Sequence, residues 1–190
     1  MKRTEAGKRI VVVSGPSGCG KDSVVGEMMR ESRDMALSVS CTSREKRDYE
    51  NEGEHYYFIS KEEFERLISE GMMLEYTEYS GNYYGTSLAE IKSKLEHNRT
   101  VILVIEIIGA SNIKKLYPGS LRVFIVPPSF EELGCRLRRR NSESGAEIER
   151  RLEIARDEMA KASEFDRVIV NRTKEACAKE LMEIIEDWRQ

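Results

Sequence analysis

Ile10-Val11-Val12-Val13-Ser14-Gly15-Pro16-Ser17-Gly18-Cys19-Gly20-Lys21-Asp22-Ser23 decides the fold of this chain. Ile10 to Val13 is an unbroken β-branched run, which predicts a strand buried on both faces. A glycine-rich loop follows. Val24, Val25, Met28 and Met29 then share one face of a predicted helix. Strand, Gly-x-x-x-x-Gly-Lys and helix in that order is the setting of a phosphate-binding loop. Backbone N–H groups from Gly15, Ser17, Gly18, Cys19 and Gly20 surround phosphate oxygens in such a loop. The helix N-terminus adds its positive dipole end, and Lys21 reaches the β and γ phosphates. The flanking strand and helix separate this reading from that of a glycine turn with a surface lysine.

In the usual pattern Ser or Thr follows the lysine directly. Here Asp22 does, and the hydroxyl comes next, at Ser23. An anion beside phosphates is unfavourable unless Mg²⁺ or Lys21 compensates it. Two readings stay open: Asp22 or Ser23 helps to hold Mg²⁺, partly through water, or Asp22 points outward to solvent.

Away from the loop, strands and helices alternate. Val101 to Ile107, Leu121 to Val126 and Val168 to Val170 read as further buried strands. Helices are predicted between them, over about 146–163 and at the C-terminus, where Leu181, Ile184, Ile185 and Trp188 share a face. Ser60 with Glu63, Ser87 with Glu90 and Ser129 with Glu132 have capping-box spacing. The expectation is an α/β fold of three layers, a parallel sheet flanked by helices. Two stretches break the rhythm. Residues 37–87 are rich in Tyr, Gly and polar groups and read as a small mixed α/β insertion. Residues 136–151 are Arg-rich and read as a lid.

Composition narrows the chemistry. The 190 residues carry 31 Lys and Arg against 34 Asp and Glu, a formal net charge of −3. That balance speaks against binding a nucleic-acid polymer, which needs an excess of cations. The apolar runs have strand length, so no membrane span is expected. Cys19, Cys41, Cys135 and Cys177 are far apart and lack a Cys-x-x-Cys pair, which suggests free thiols in a reducing cytoplasm. With only two histidines, His55 and His97, metal sites and triads built on His are nearly excluded.

A second set of motifs lies in the insertion. Arg44 and Arg47 are spaced to converge on one dianion, and their forked guanidinium groups suit phosphate oxygens. Glu50, Gly53 and Tyr56 follow, then Glu75-Tyr76, then Gly81-Asn82-Tyr83-Tyr84-Gly85-Thr86. Ser-x-Ser-x-Thr-Ser-Arg-x-x-Arg from Ser38, Gly-x-x-Tyr-x-Phe from Gly53, Leu74-Glu75-Tyr76 and the Gly-Asn-Tyr-Tyr-Gly-Thr block together resemble guanylate kinase. Val-Pro-Pro-Ser-x-Glu-Glu-Leu from Val126 and Val-Ile-Val-Asn from Val168 extend the resemblance from Ile10 to about Asn171.

The resemblance implies a kinase of the P-loop class that phosphorylates GMP, and dGMP, from ATP with Mg²⁺, within purine nucleotide metabolism. It implies that Arg44, Arg47 and Tyr56, with Tyr84 beside them, bind the GMP phosphate. Ser40, Glu75, Thr86 and Glu106 would read guanine. A carboxylate accepts both the N1–H and the N2 amine of guanine, and adenine offers no such pair. Arg136, Arg140 and Arg151 match arginines that close over the transferring phosphoryl group. Asn171 matches a position near the ATP adenine. On this reading the chain is one domain, 1–190. Its core is 8–36, 88–135 and 152–190, 37–87 bind GMP, and 136–151 form the lid. The state is a monomer or a homodimer.

Several positions depart from the pattern. An acidic residue is usual where Val104 stands, Gln where Ile108 stands and Asp where Glu106 stands. Lys46 takes a usual Pro position, and Arg172 follows Asn171 where Asp is common. Loss of an acidic group at 104 and gain of Asp22 could be one linked change. The departures leave two rivals: a kinase of this scaffold with another phosphorylated acceptor, and a binding module that transfers nothing. The phosphate loop and the lid arginines speak against the second.

Overall fold

The computed structural model describes residues 6–79, 81–97, 100–139 and 145–190. The strands in chain order are β1 (Ile10–Ser14), β2 (Met35–Leu37), β3 (Cys41–Thr42), β4 (Tyr57–Phe58), β5 (Met73–Tyr79), β6 (Asn82–Ser87), β7 (Thr100–Val104), β8 (Leu121–Val126) and β9 (Arg167–Val170). The helices are α1 (Lys21–Glu31), α2 (Lys61–Ser69), α3 (Leu88–Glu96), α4 (Ile107–Leu116), α5 (Phe130–Arg139), α6 (Gly145–Ala160) and α7 (Lys174–Arg189). By contact the chain groups into two compact units. One comprises Met1–Ile10 and Asp34–Ser120, the other Val11–Arg33 and Leu121–Gln190. The first therefore holds the mixed insertion with the segments on either side of it, and the second holds the phosphate loop with the C-terminal third.

In the second unit β1, β8 and β9 are parallel, with Val13 opposite Val123 and Ile125 opposite Ile169. Every residue of β1 is buried, as its unbroken apolar run requires. β9 buries Ile169 and leaves Val168 and Val170 exposed. Val24, Val25 and Met28 of α1 are buried, as are Cys177, Ala178, Leu181 and Ile185 of α7, and the two helices pack together. The arginine-rich stretch has an apolar side too. Leu133 and Leu137 of α5 join Ile148, Leu152 and Ala155 of α6 in a buried cluster, with Phe130 against it. The helix expected over about 146–163 ends at Ala160, followed by a 3₁₀ turn, Ala162–Glu164.

In the first unit β2 and β7 pair in parallel. A second, four-stranded sheet runs β4-β3-β6-β5, with β3–β4 parallel and the other pairs antiparallel. This is the mixed insertion. Phe64 of α2 is fully buried and stacks on Tyr83 of β6 at 5.2 Å. Helix α3 packs on β7 and β6, and α4 packs on β5. The strand predicted over Val101 to Ile107 ends at Val104, and Ile107 already begins α4. Ile105 and Ile107 are buried on either side of the turn, so the apolar run continues while the backbone changes state. Periodicity does not separate a short buried strand from the start of a buried helix.

All four cysteines are free; Cys135 is exposed and the other three are buried. No helix among the described residues is long and apolar enough to cross a membrane.

Candidate active site

The phosphate loop connects β1 to α1. Its glycines are required by geometry at two points. A Cβ at Gly15 would stand 2.3 Å from the Ile125 carbonyl oxygen, so the loop could not lie against β8. Gly20 is left-handed at φ 91°, and a Cβ there would meet the Asn171 amide at 2.6 Å. Gly20 is also the N-cap of α1 and makes no side-chain cap, whereas Ser60, Ser87 and Thr173 cap α2, α3 and α7. No side-chain cap from Gly20 covers the start of α1, which suits an anion at this terminus.

Positive groups converge on the loop. Lys21 Nζ donates to the Gly15 carbonyl at 3.2 Å. Arg136 spans three acceptors: Nε donates to Glu132, Nη1 to the Cys19 carbonyl at 3.2 Å and Nη2 to the Asn171 carbonyl at 3.0 Å. Arg151 donates from Nη2 to the Ser17 hydroxyl. Asn171 is buried, and its amide also donates to the Cys19 carbonyl, at 2.7 Å. Asn171 and Arg136 therefore brace the outer turn of the loop in this arrangement. Arg138 and Arg139 are exposed, and Arg140 lies outside the described residues. Asp22 and Ser23 stand exposed in the first turn of α1. Among the described residues no cluster of three His, Cys, Asp or Glu could hold a metal ion. One carboxylate and one hydroxyl beside a phosphate site is nevertheless a fitting donor set for Mg²⁺, which takes few protein ligands and keeps substrate phosphates and water.

In the first unit Ser40, Glu75 and Thr86 form one cluster and Arg44, Tyr56 and Tyr84 another, while the Arg47 and Glu106 side chains stand exposed beside them. In one, Thr86 Oγ1 donates to Glu75 Oε1 at 2.9 Å and lies 3.5 Å from the Ser40 hydroxyl. These side chains come from β5, β6 and the residue before β3. Glu75 is buried, and its carboxyl is pushed up to about 7, first by burial and then by the charge of Glu106. Its second oxygen faces α4, where a Cβ at Gly109 would stand 2.6 Å away, so glycine lets the helix approach. Glu106 is the exposed N-cap residue of α4, and Ile108 in the first turn is 61% exposed.

In the other cluster Arg44 grips Glu50 through both terminal nitrogens, Nη1 at 2.7 Å from Oε2 and Nη2 on Oε1. Its guanidinium lies 5.2 Å from the Tyr56 ring centroid, and Tyr56 meets Tyr84 edge-on at 6.0 Å. Glu50 is buried and also accepts the Arg47 backbone N–H at 2.9 Å. The Arg44 bond holds the Glu50 carboxyl down at about 2, and Arg44 is in turn raised above its ordinary value by Glu50. The Arg47 guanidinium donates to the Tyr49 hydroxyl.

Two residues near these clusters escaped the sequence reading. Glu50 stands in the sequence as a neighbour of the arginines, three residues after Arg47 and six after Arg44, a spacing that invites a pair. The spacing of Glu90 predicts only a capping box, and no spacing signal leads from it to its second partner, the Val39 N–H.

Residues 7–188 match the guanylate kinase family. The chain is similar to the guanylate kinase of Prochlorococcus marinus subsp. pastoris, 40% identical over 94% of this chain and 97% of that one. It is similar to the Streptomyces coelicolor guanylate kinase, 43% identical over 94% and 90%. A crystal structure of guanylate kinase from Anaplasma phagocytophilum superposes with a TM-score of 0.79 at 32% identity, covering 95% of this chain and 86% of the other. With the motifs, the strand–loop–helix geometry and these likenesses in accord along nearly its full length, the chain belongs to the guanylate kinase family.

Proposed function

We propose that this protein transfers the γ-phosphoryl group of ATP to GMP, and to dGMP, releasing ADP and GDP. The observation that carries this reading is the buried Glu75, held by Thr86 next to Ser40. A buried carboxylate matched to the two adjacent donors of guanine rejects a base that lacks them, because the charge would stay unpaired. The Arg44, Arg47, Tyr56 and Tyr84 cluster fits the acceptor phosphate, which a guanidinium fork binds with direction as well as charge. The loop amides, Lys21, Arg136 and Arg151 fit the donor triphosphate.

No covalent intermediate is required. The attacking phosphate oxygen of GMP is already anionic, so no general base is needed. The chain's contribution is to hold donor and acceptor in line and to neutralise the charge spread over the moving phosphoryl group. Lys21 and the lid arginines act on that charge, while Arg44 and Arg47 offset the negative charge of the acceptor. Mg²⁺ bound with ATP supplies further neutralisation of phosphate oxygens, and Asp22 or Ser23 would hold it directly or through water. A cytoplasmic setting suits the four free thiols.

The test is ADP release from ATP and Mg²⁺ with GMP, dGMP, AMP, CMP or UMP offered singly. Turnover confined to the guanine nucleotides is expected. Turnover only with another acceptor would assign the scaffold to a different substrate. GMP binding without any turnover would leave a binding module.

A further inference from the structure

Glu90 is a buried carboxylate in the first turn of α3. The Ser87 hydroxyl accepts its backbone N–H at 3.2 Å, which is half of the capping box that the Ser-x-x-Glu spacing predicts. Its carboxylate goes elsewhere. Oε1 accepts the Val39 N–H at 3.0 Å, across 51 residues of sequence. Val39 lies in the short link between β2 and β3, immediately before Ser40. On the other side of Ser40, its carbonyl accepts the Tyr57 N–H of β4 at 2.9 Å. Ser38 is fixed by its own N–H on the Ile102 carbonyl of β7 at 2.9 Å. Lys94, one turn along α3, stands 3.6 Å from the same Glu90 oxygen.

The backbone that carries Ser40 thus crosses from one sheet to another, and the link is too short to be tied by either sheet at every residue. At Val39 no strand carbonyl takes the N–H; the Glu90 carboxylate does. A charge-assisted bond to a buried carboxylate is stronger and more directional than a neutral one. We infer that Glu90 is a positioning residue for guanine recognition, holding the Val39–Ser40 backbone so that the Ser40 hydroxyl lies beside Thr86 and Glu75. The inference rests on the reading of Ser40 as a base-facing group. It adds a residue that never touches the nucleotide, acting through the main chain of one that does.

The experiment uses the full chain and steady-state turnover, reading KM for GMP and KM for ATP separately in the wild type, Glu90→Gln, Glu90→Ala and Ser40→Ala, and in Ser40→Ala combined with each Glu90 variant. Losing the acceptor should raise the GMP KM about tenfold in Glu90→Ala. Glu90→Gln keeps a neutral acceptor, so a rise of about threefold is expected. The ATP KM should stay within about twofold. Because Glu90 acts through Ser40, its substitution should add little once Ser40 is Ala. Equal changes in both KM values, or the same Glu90 effect with and without the Ser40 hydroxyl, would overturn the inference. If Glu90→Ala does not fold, the Glu90→Gln cycle decides, and an unchanged GMP KM there overturns it. Absence of GMP turnover in the wild type would instead sink the functional reading itself.

Discussion

In the second unit the phosphate site is one contiguous segment, Gly15 to Lys21, built largely from backbone. In the first unit the pocket draws Ser40, Arg44, Tyr56, Glu75, Thr86 and Glu106 from separate strands, links and a helix cap. The loop needs glycine where a Cβ would strike Ile125 or Asn171, and Arg136 and the Asn171 amide brace it on the Cys19 carbonyl. The pocket needs specific side chains held by other side chains, with Glu50 under Arg44 and Thr86 on Glu75. The difference follows from the ligands. A triphosphate offers only anionic oxygens, which any array of N–H groups meets. A purine offers a donor and acceptor pattern, which only placed polar side chains can read.

The largest break in this comparison is expected at Lys21. Lys21→Ala should lower kcat by about a thousandfold or more, since the charge on the moving phosphoryl group loses a pre-placed cation. GMP affinity, measured by calorimetry without ATP, should stay within about twofold. An equal loss of GMP binding would show that loop and pocket are not separate sites.

Glu75 comes next. Glu75→Gln replaces one acceptor by a donor, so the GMP KM should rise about a hundredfold with the ATP KM unchanged. Its titration gives an independent check. The folded-state value, about 7, lies above the ordinary 4.5. The contribution to stability is therefore fully present below about 4.5 and is lost as pH rises through about 7, roughly 3 kcal/mol in all. Thermal unfolding of Glu75→Gln should lack that decline. Guanosine, which has no phosphate to titrate, should bind the wild type more tightly as pH rises from about 6 to about 8, because the carboxylate form accepts the base donors. A guanosine affinity flat with pH would remove Glu75 from the base contact.

A smaller effect is expected at Glu50. Glu50→Gln keeps the shape but removes the charge between Arg44 and the Arg47 N–H, and should raise the GMP KM about tenfold. Guanosine binding should not change, since the base pocket is untouched. Glu50 is depressed to about 2, so its stabilising contribution is present above the ordinary 4.5 and is lost as pH falls toward 2. In Glu50→Gln the acid side of the stability profile should be flatter; an acid limb identical to the wild type would mean that the pair contributes nothing measurable.

The two sites also differ in how far the sequence disclosed them. The loop was readable from its β-branched strand, its glycines and the helical spacing after Lys21, because each is a local constraint. The pocket residues were named through a resemblance, since nothing local ties Ser40 to Thr86 or Arg44 to Tyr56. Register joins them: β3 pairs with both β4 and β6, and β6 pairs with β5. Glu63, Glu90 and Glu132 have capping-box spacing, and each gives its N–H to the expected serine. Their carboxylates nevertheless go to Arg66, Val39 and Arg136. A spacing rule finds the helix start, while the free end of a long side chain is settled by whatever donor the tertiary fold brings near.

The smallest expected effect sharpens the comparison at the edge of the phosphate site. Asp22 is exposed in the first turn of α1, where a carboxylate gains from the helix dipole whether or not a metal is present. If it also holds Mg²⁺ through water, Asp22→Gly should raise the Mg²⁺ concentration for half-maximal rate about threefold while leaving the GMP KM alone. Val104→Asp places an acidic residue where the resemblance to guanylate kinases implies one, and together with Asp22→Gly it should return the Mg²⁺ dependence toward that of the wild type. The comparison of all three variants separates the two roles. A Mg²⁺ profile unchanged in both single variants and in the double would leave Asp22 with the dipole alone, and its replacement would then register only as a loss of helix stability of about 0.5 kcal/mol.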